Sequence, residues 1–331
     1  MIRTEELCKY FSSSGKAGKE VRAVDGLSLE VKQGEVFGFL GPNGAGKTTT
    51  VRMLTCLIGP SAGRAWVNGL EVGKADLAIQ SQVGILTESP GLYDRLSARY
   101  NLEFFADMYG VKDVKGQVEK YLRLLDLWDR RDSEAGTFSK GMKQKLAIAR
   151  ALLHEPPVVF MDEPTAALDP EAAKTVRDFI ETLRGQGRTI FLCTHNLDEA
   201  ERLCDRIGVF RQRLIAVDTP DALRRQLFGR QTVVHLASPA AGSETVSLAA
   251  TVRALPFVEH VELLAPADSQ DGGRLVISLD DPALRNPAIV QALVAQGAQI
   301  QFVNELKHTL EDVYLSLMRD GANGAGQGGA R

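Results

Sequence analysis

No stretch of the 331-residue chain holds the roughly 18 consecutive apolar residues that a membrane-spanning helix needs, so the chain is not expected to cross a bilayer. Cysteine is scarce. The four thiols, Cys8, Cys56, Cys193 and Cys204, form no C-x-x-C pair and sit in apolar segments. That spacing predicts reduced, buried thiols of a cytosolic protein and excludes a disulfide framework or a zinc site. An excess of positive charge is also missing. The net charge is −3, and residues 219–331 hold 9 Lys and Arg against 12 Asp and Glu, leaving residues 1–218 balanced. Neither part has the basic footprint of a nucleic-acid-binding module. There is no internal repeat and no heptad run. The opening Met1-Ile2-Arg3-Thr4-Glu5-Glu6 turns acidic at once, unlike a secretory leader. What is present is ordinary for a globular protein, 44% apolar and 24% charged, which excludes wholesale disorder and collagen-like composition. The length predicts about two domains.

The first two hundred residues alternate β-rich runs with helical stretches, the pattern of an α/β core. Val36–Leu40 is a compact apolar strand, and Thr48–Ile58 reads as a helix closed by Gly59-Pro60. Ala65–Val67 leads into Asn68-Gly69, a tight hairpin signal. Val83–Leu86, Pro157–Met161 and Thr189–Cys193 are further buried-strand runs. Between Tyr93 and Leu153 helical patterning dominates, which predicts a helical subdomain inserted into the sheet. A second unit begins near Thr219-Pro220. Its strands (232–237, 258–264, 275–279, 299–303) and helices (248–255, 288–295) fall in the order βαββαβ, a ferredoxin-like α+β pattern. A last helix is predicted over Thr309–Met318. The glycine-rich residues 319–331 offer little to bury and are expected to be disordered.

Gly41-Pro42-Asn43-Gly44-Ala45-Gly46-Lys47-Thr48 matches G-x-x-x-x-G-K-[ST] between a predicted strand and a predicted helix. Glycines let backbone N–H groups converge on phosphate oxygens, and the helix N-terminus adds partial positive charge there. Lys47 can reach the β- and γ-phosphates, and the Thr48 hydroxyl can ligate Mg²⁺, with Thr49 completing the predicted nucleotide cradle. The loop by itself does not choose ATP over GTP. About a hundred residues on, an apolar strand ends in Asp162-Glu163. At a strand tip, Asp162 can hold the Mg²⁺ shell and Glu163 can take a proton from an attacking water. Asp169 before Pro170 reads first as a helix N-cap with proline at N1.

With Phe138-Ser139-Lys140-Gly141-Met142-Lys143-Gln144 just upstream of the acidic strand, residues 1–228 resemble the nucleotide-binding subunit of an ATP-binding cassette (ABC) transporter. The family's usual signature, Leu-Ser-Gly-Gly-Gln, keeps its serine as Ser139 and its second glycine as Gly141. Phe138, Lys140 and Met142 depart from it. The resemblance implies a P-loop NTPase core of ABC type and ATP hydrolysis with Mg²⁺. It further implies a head-to-tail homodimer in which Ser139 and Gly141 of one copy meet the other copy's ATP. Ser139 also serves as a plain N-cap. His195 resembles the switch histidine that contacts the γ-phosphate, so Lys47, Glu163 and His195 are the expected catalytic residues. Ala167-Leu168-Asp169 resembles the loop that crosses the dimer interface. Phe11 falls where the family places the aromatic that stacks on adenine, with Tyr10 as the fallback and a core position as the other reading of Phe11. Glu88 stands where the family usually has glutamine, and it is a third expected metal contact beside Thr48 and Asp162.

The signature, Glu88 and the appended domain (229–318) together resemble the branch that exports drugs, antibiotics and sodium. That implies a separate transmembrane permease as partner and a location on the cytoplasmic face of the membrane. A soluble ABC-type ATPase working on nucleic acid or the ribosome is the other reading. It fits less well with a single cassette and no basic stripe, and no nucleic acid is expected as partner.

Overall fold

A computed structural model describes residues 1–12, 20–237, 242–264 and 273–324. It divides into two compact units, Met1–Pro220 and Asp221 onward. Among the described residues no helix is long and apolar enough to cross a membrane.

The first unit opens with two long antiparallel strands, β1 (Ile2–Ser12) and β2 (Glu20–Val31). The strand β3 (Val36–Leu40) leads through the glycine loop into α1 (Lys47–Leu54). α1 ends four residues short of the expected Ile58. Cys56 adopts a left-handed conformation, and the amides of Leu57 and Ile58 both turn back to the carbonyl of Arg52. The hairpin of β4 (Ala62–Val67) and β5 (Leu70–Glu71) turns at Asn68-Gly69, both with positive φ, as the sequence signal requires. A short α2 (Asp76–Gln80) precedes β6 (Val83–Leu86). No strand then forms until β7 (Val158–Asp162). The interval holds α3 (Ala98–Met108), α4 (Val114–Leu124), two 3₁₀ turns and α5 (Lys140–Leu152), the expected helical insertion. The unit continues with α6 (Pro170–Gly185), β8 (Thr189–Thr194), α7 (Leu197–Leu203), β9 (Arg206–Arg211) and β10 (Arg213–Asp218).

These strands form two sheets. The antiparallel one runs β2-β1-β4-β5. The other has six strands in the order β10-β9-β3-β8-β7-β6, parallel except for β10. Every residue of β3, β7 and β8 is buried, as in a parallel sheet covered on both faces. Their aromatic rings interlock: Phe191 lies 5.7, 5.2 and 5.6 Å from Phe37, Phe39 and Phe160, and Phe39 lies 4.5 Å from Phe210. Of the four thiols, none is in a disulfide; Cys8, Cys193 and Cys204 are buried as expected, but Cys56 is only partly so.

The second unit takes in most of α8 (Pro220–Phe228), followed by β11 (Gln231–Leu236), α9 (Gly242–Arg253), β12 (Val258–Leu264), β13 (Arg274–Leu279), α10 (Pro282–Ala295), β14 (Ile300–Glu305) and α11 (Leu310–Gly324). The sheet order β12-β13-β11-β14, all antiparallel, is that of the split-βαβ fold. Val234, Leu236, Leu275 and Ile277 of the sheet form one apolar core with Val252 and Ile289 of the helices. α10 starts six residues before the expected helix, because Asp281 caps it through the amides of Ala283 and Leu284 and Pro282 occupies its first turn. α11 runs past the expected end, so residues 319–324, assigned above to a disordered tail, are helical; residues 325–331 lie outside the described residues.

Phe191→Ala, which empties the centre of this ring cluster, is expected to cost about 3–5 kcal/mol. Leu77→Ala, at a site 83% exposed, should stay within about 0.5 kcal/mol. Denaturant unfolding of the first unit's transition measures both.

Candidate functional site

The order β3-β8-β7-β6 sets the carboxyl ends of four parallel strands side by side. Each delivers one loop to the same edge, the place where open α/β sheets bind ligands. From β3 comes the glycine loop, from β8 His195, from β7 Asp162 and Glu163, and from β6 Glu88. Together they line a cleft of about 250 Å³. Pro42 through Thr49 form one wall, and Glu88, Asp162, Glu163 and His195 project into it. Ala23 of β2 and Ala166 complete it.

The loop's conformation requires its glycines. Gly46 caps α1 at φ 106°, and a Cβ there would collide with the carbonyl oxygen of Ala23; one on Gly41 would collide with that of Phe210. Lys47 is folded back over the loop. Its Nζ donates to Gly41 O at 2.6 Å and stands 3.6 Å from Glu163 Oε1. Glu163 itself is a non-glycine residue at φ 51°, held there by its amide donating to Cys193 O at 2.9 Å. Such a conformation costs of order 1–3 kcal/mol and persists where surrounding structure enforces it, most often at functional sites. It aims the Glu163 carboxylate at His195, whose Nδ1 is 2.8 Å from Oε1.

Thr48 Oγ1 donates to Asp162 Oδ2 at 2.7 Å. The Asp162 carboxyl is held above the ordinary carboxylate range. Burial is the main cause; the neighbouring Glu163 and Glu88 add to it, while Thr48 and Lys47 oppose it. Among the described residues no group of three or more His, Cys, Asp or Glu forms a metal cage. A hydroxyl and a desolvated carboxylate facing a phosphate loop are instead the hard oxygen pair that suits Mg²⁺ shared with phosphates, and a cation there would offset the burial of Asp162.

Not every expected residue enters the cleft. Gly41 lies behind it, as acceptor for Lys47. Phe11 is outside the lining, 42% exposed near the end of β1, opposite Val21 and 5.3 Å beneath Lys9 Nζ, so the core reading of Phe11 is excluded. Ser139, Gly141 and Asp169 are also outside it. Ser139 caps α5 through Met142 N at 3.2 Å, and Asp169 caps α6 through Ala172 N at 2.8 Å. A Cβ on Gly141 would come within 2.9 Å of that of Ala172, so its glycine lets the two helix starts approach. Two further contributors were missed from the sequence: Ala23 comes from a strand not recognised, and Ala166 has no distinguishing chemistry. Gln144, at the end of the signature stretch, lies outside the lining, buried in α5, where it donates to Pro164 O at 2.8 Å.

This fold and this cleft define a P-loop nucleotide-binding ATPase. Residues 24–166 match the family described as ABC transporter. The chain is 36% identical over 302 residues to the daunorubicin resistance ATP-binding protein DrrA3 of Streptomyces coeruleorubidus, covering 90% of this chain and 92% of that one. It is 37% identical to a Nod factor export ATP-binding protein of a Rhizobium species, covering 89% and 91%. A solved ATP-binding subunit of an ABC transporter, 31% identical, superposes with a TM-score of 0.61 over 69% of this chain and 94% of that one. The chain belongs to the ABC transporter family, as an ATP-binding subunit with the ATPase cassette.

A carboxyl with its pKa raised by burial subtracts from stability while ionised, and that loss fades as pH falls through the raised value. Asp162→Asn, free of nucleotide, is therefore expected to melt higher than the parent at neutral pH. The gap should close on acidification toward the ordinary carboxylate range. Thermal melts across that pH span check this; a gap that widens toward acid pH contradicts it.

Proposed function

We propose that this chain powers export of a substrate across the cytoplasmic membrane, together with a separate permease, by hydrolysing ATP between two copies of itself. The observation that carries the dimer is the position of Ser139 and Gly141. They form a hydroxyl and a helix N-terminus suited to an anion, yet they stand outside their own chain's cleft. A second copy set head to tail would bring them to the γ-phosphate, with Asp169 crossing between the copies. The functions of the relatives, daunorubicin resistance and Nod factor export, support the direction of transport.

In this reading Lys47 leaves Gly41 O for the β- and γ-phosphates, and Pro42 through Thr49 cradle them. Thr48 and Asp162 would hold Mg²⁺, with Glu88 as a further carboxylate beside them; the ion supplies charge neutralisation between the phosphates. The exposed ring of Phe11 offers a face for adenine. Glu163 accepts the proton as water attacks the γ-phosphorus, and the bond to the β–γ bridging oxygen breaks. His195 holds the Glu163 carboxylate and reaches the γ-phosphate. Loss of that phosphate removes the bridge between copies, and closure and reopening drive the permease. The permease docks near the Glu88–Tyr93 loop and the helical insertion, which keeps the chain at the cytoplasmic face.

Glu163→Gln should lower turnover by about 100-fold or more while ATP binding persists and an ATP-bound dimer accumulates in size-exclusion chromatography. Parental turnover would remove Glu163 from the role of base. Lys47→Ala should weaken ATP binding by about tenfold or more in titration calorimetry. Unchanged affinity contradicts its phosphate contact.

A further inference from the structure

Behind the cleft stands a carboxyl that the mechanism above does not use. Glu199, in the first turn of α7, is 2% exposed. Its Oε2 is 3.1 Å from Thr194 Oγ1, and its Oε1 is buried with no hydrogen-bond partner. Its own amide is capped by Asn196 Oδ1 at 3.2 Å. Thr194, wholly buried at the end of β8, is the hub of this arrangement. Its hydroxyl oxygen accepts from Asn196 N at 3.0 Å, and it lies within 3.4 Å of Glu163 Oε2 as well as beside Glu199. The hydroxyl has one proton and two carboxylates within reach, so it can donate to only one of them.

We propose that Glu199 is a positioning residue for hydrolysis: as a neutral acid it donates to Thr194, which turns the single Thr194 proton onto Glu163 Oε2. The Glu163 carboxylate is then held at both oxygens, by His195 at Oε1 and by Thr194 at Oε2. An ionised Glu199 would take the Thr194 proton for itself, since it is the nearer acceptor, and leave Oε2 free to rotate. The inference rests on the reading of Glu163 as the base. Among the groups that face Glu199, the like charge of Glu163 favours the neutral form, while the Thr165 and Thr194 hydroxyls and the charge of Arg177 oppose it. Burial, the largest influence, pushes the Glu199 carboxyl upward. A buried carboxylate with an unpartnered oxygen is costly, and taking up a proton removes that cost.

Glutamine keeps the shape, the neutrality and a donor. Glu199→Gln should therefore retain kcat for ATP within about threefold, whereas Glu199→Leu, which has no donor, should lower kcat by about tenfold with KM for ATP held within about twofold. Thr194→Val, which removes the hydroxyl without opening a cavity, should give the same loss by itself. Adding Glu199→Leu to it should cost little more, because both break one relay. The proposal is overturned if the glutamine variant falls as far as the leucine one, if Thr194→Val keeps the parental kcat, or if the two losses multiply. Glu163→Gln separates this from failure of the wider reading. If that variant still loses turnover while Glu199→Gln and Glu199→Leu behave alike, the base stands and the relay does not.

Discussion

Charge held at the edge of an apolar sheet is the constraint on which the rest of this molecule depends. Strands β3, β7 and β8 are buried along their whole length, so they can carry polar chemistry only where they end. The ends therefore gather it: Lys47 after β3, Asp162 and Glu163 at β7, Thr194 and His195 at β8. These groups satisfy one another. Lys47 leans on Gly41 O and toward Glu163, Thr48 bonds Asp162, and His195 meets Glu163. Each contact uses an atom that nucleotide chemistry would claim. The cleft is thus a set of replaceable interactions, and a phosphate with its cation could enter by exchange without first desolvating bare charges.

Backbone strain gives the exchange a fixed frame. Glu163 sits in the left-handed region and is tied to β8 through Cys193 O, while Gly46 and Gly41 press against the carbonyls of Ala23 and Phe210. The carboxylate position is therefore set by the main chain of two adjacent strands and does not depend on side-chain packing alone. The same economy appears at the helix starts. Ser139 and Asp169 are structural caps, and capping leaves a hydroxyl, a carboxylate and amide groups at one surface. The cap reading and the functional reading of these residues describe one geometry seen from inside and from outside the chain.

What could be read in the sequence was whatever the chemistry demands in contiguous form. The phosphate loop, Asp162-Glu163 and Thr194-His195 each follow a buried-strand run within a few residues, and the sheet brings those runs together in parallel. The ferredoxin-like order of the second unit was legible because its turns and apolar runs are short and distinct. Contributions made across long separations were not legible. β1 and β2 mix charged and apolar residues and pair antiparallel with several register irregularities, so Ala23 carried no signal. The end of α1 is set by the left-handed Cys56, a conformation that a cysteine does not advertise. α11 continues through residues whose composition suggests a tail, since composition bounds burial more firmly than it bounds local helix. In the sequence Glu199 is only one of several acids following His195, and its burial against Thr194 is what distinguishes it.

Glu88 shows how one residue changes the balance of this site. An amide there would contribute an oxygen without charge. A carboxylate sets a third acid in a cleft that already holds Asp162 and Glu163, and it helps to raise the pKa of Asp162. The positive groups facing these acids are few, with Lys47 the fixed one. A nucleotide would bring further negative charge, so the cleft with nucleotide but no cation would be more repulsive than a glutamine counterpart, while a divalent ion bound there would gain more from the extra carboxylate. Both effects would act in the same direction, tying nucleotide binding more closely to a cation. The loop that carries Glu88 continues through Pro90 and Gly91, whose carbonyls accept from Arg150 of α5 at 2.8 and 2.7 Å. The loop that carries Glu88 is thereby tied to the same helix that Ser139 caps.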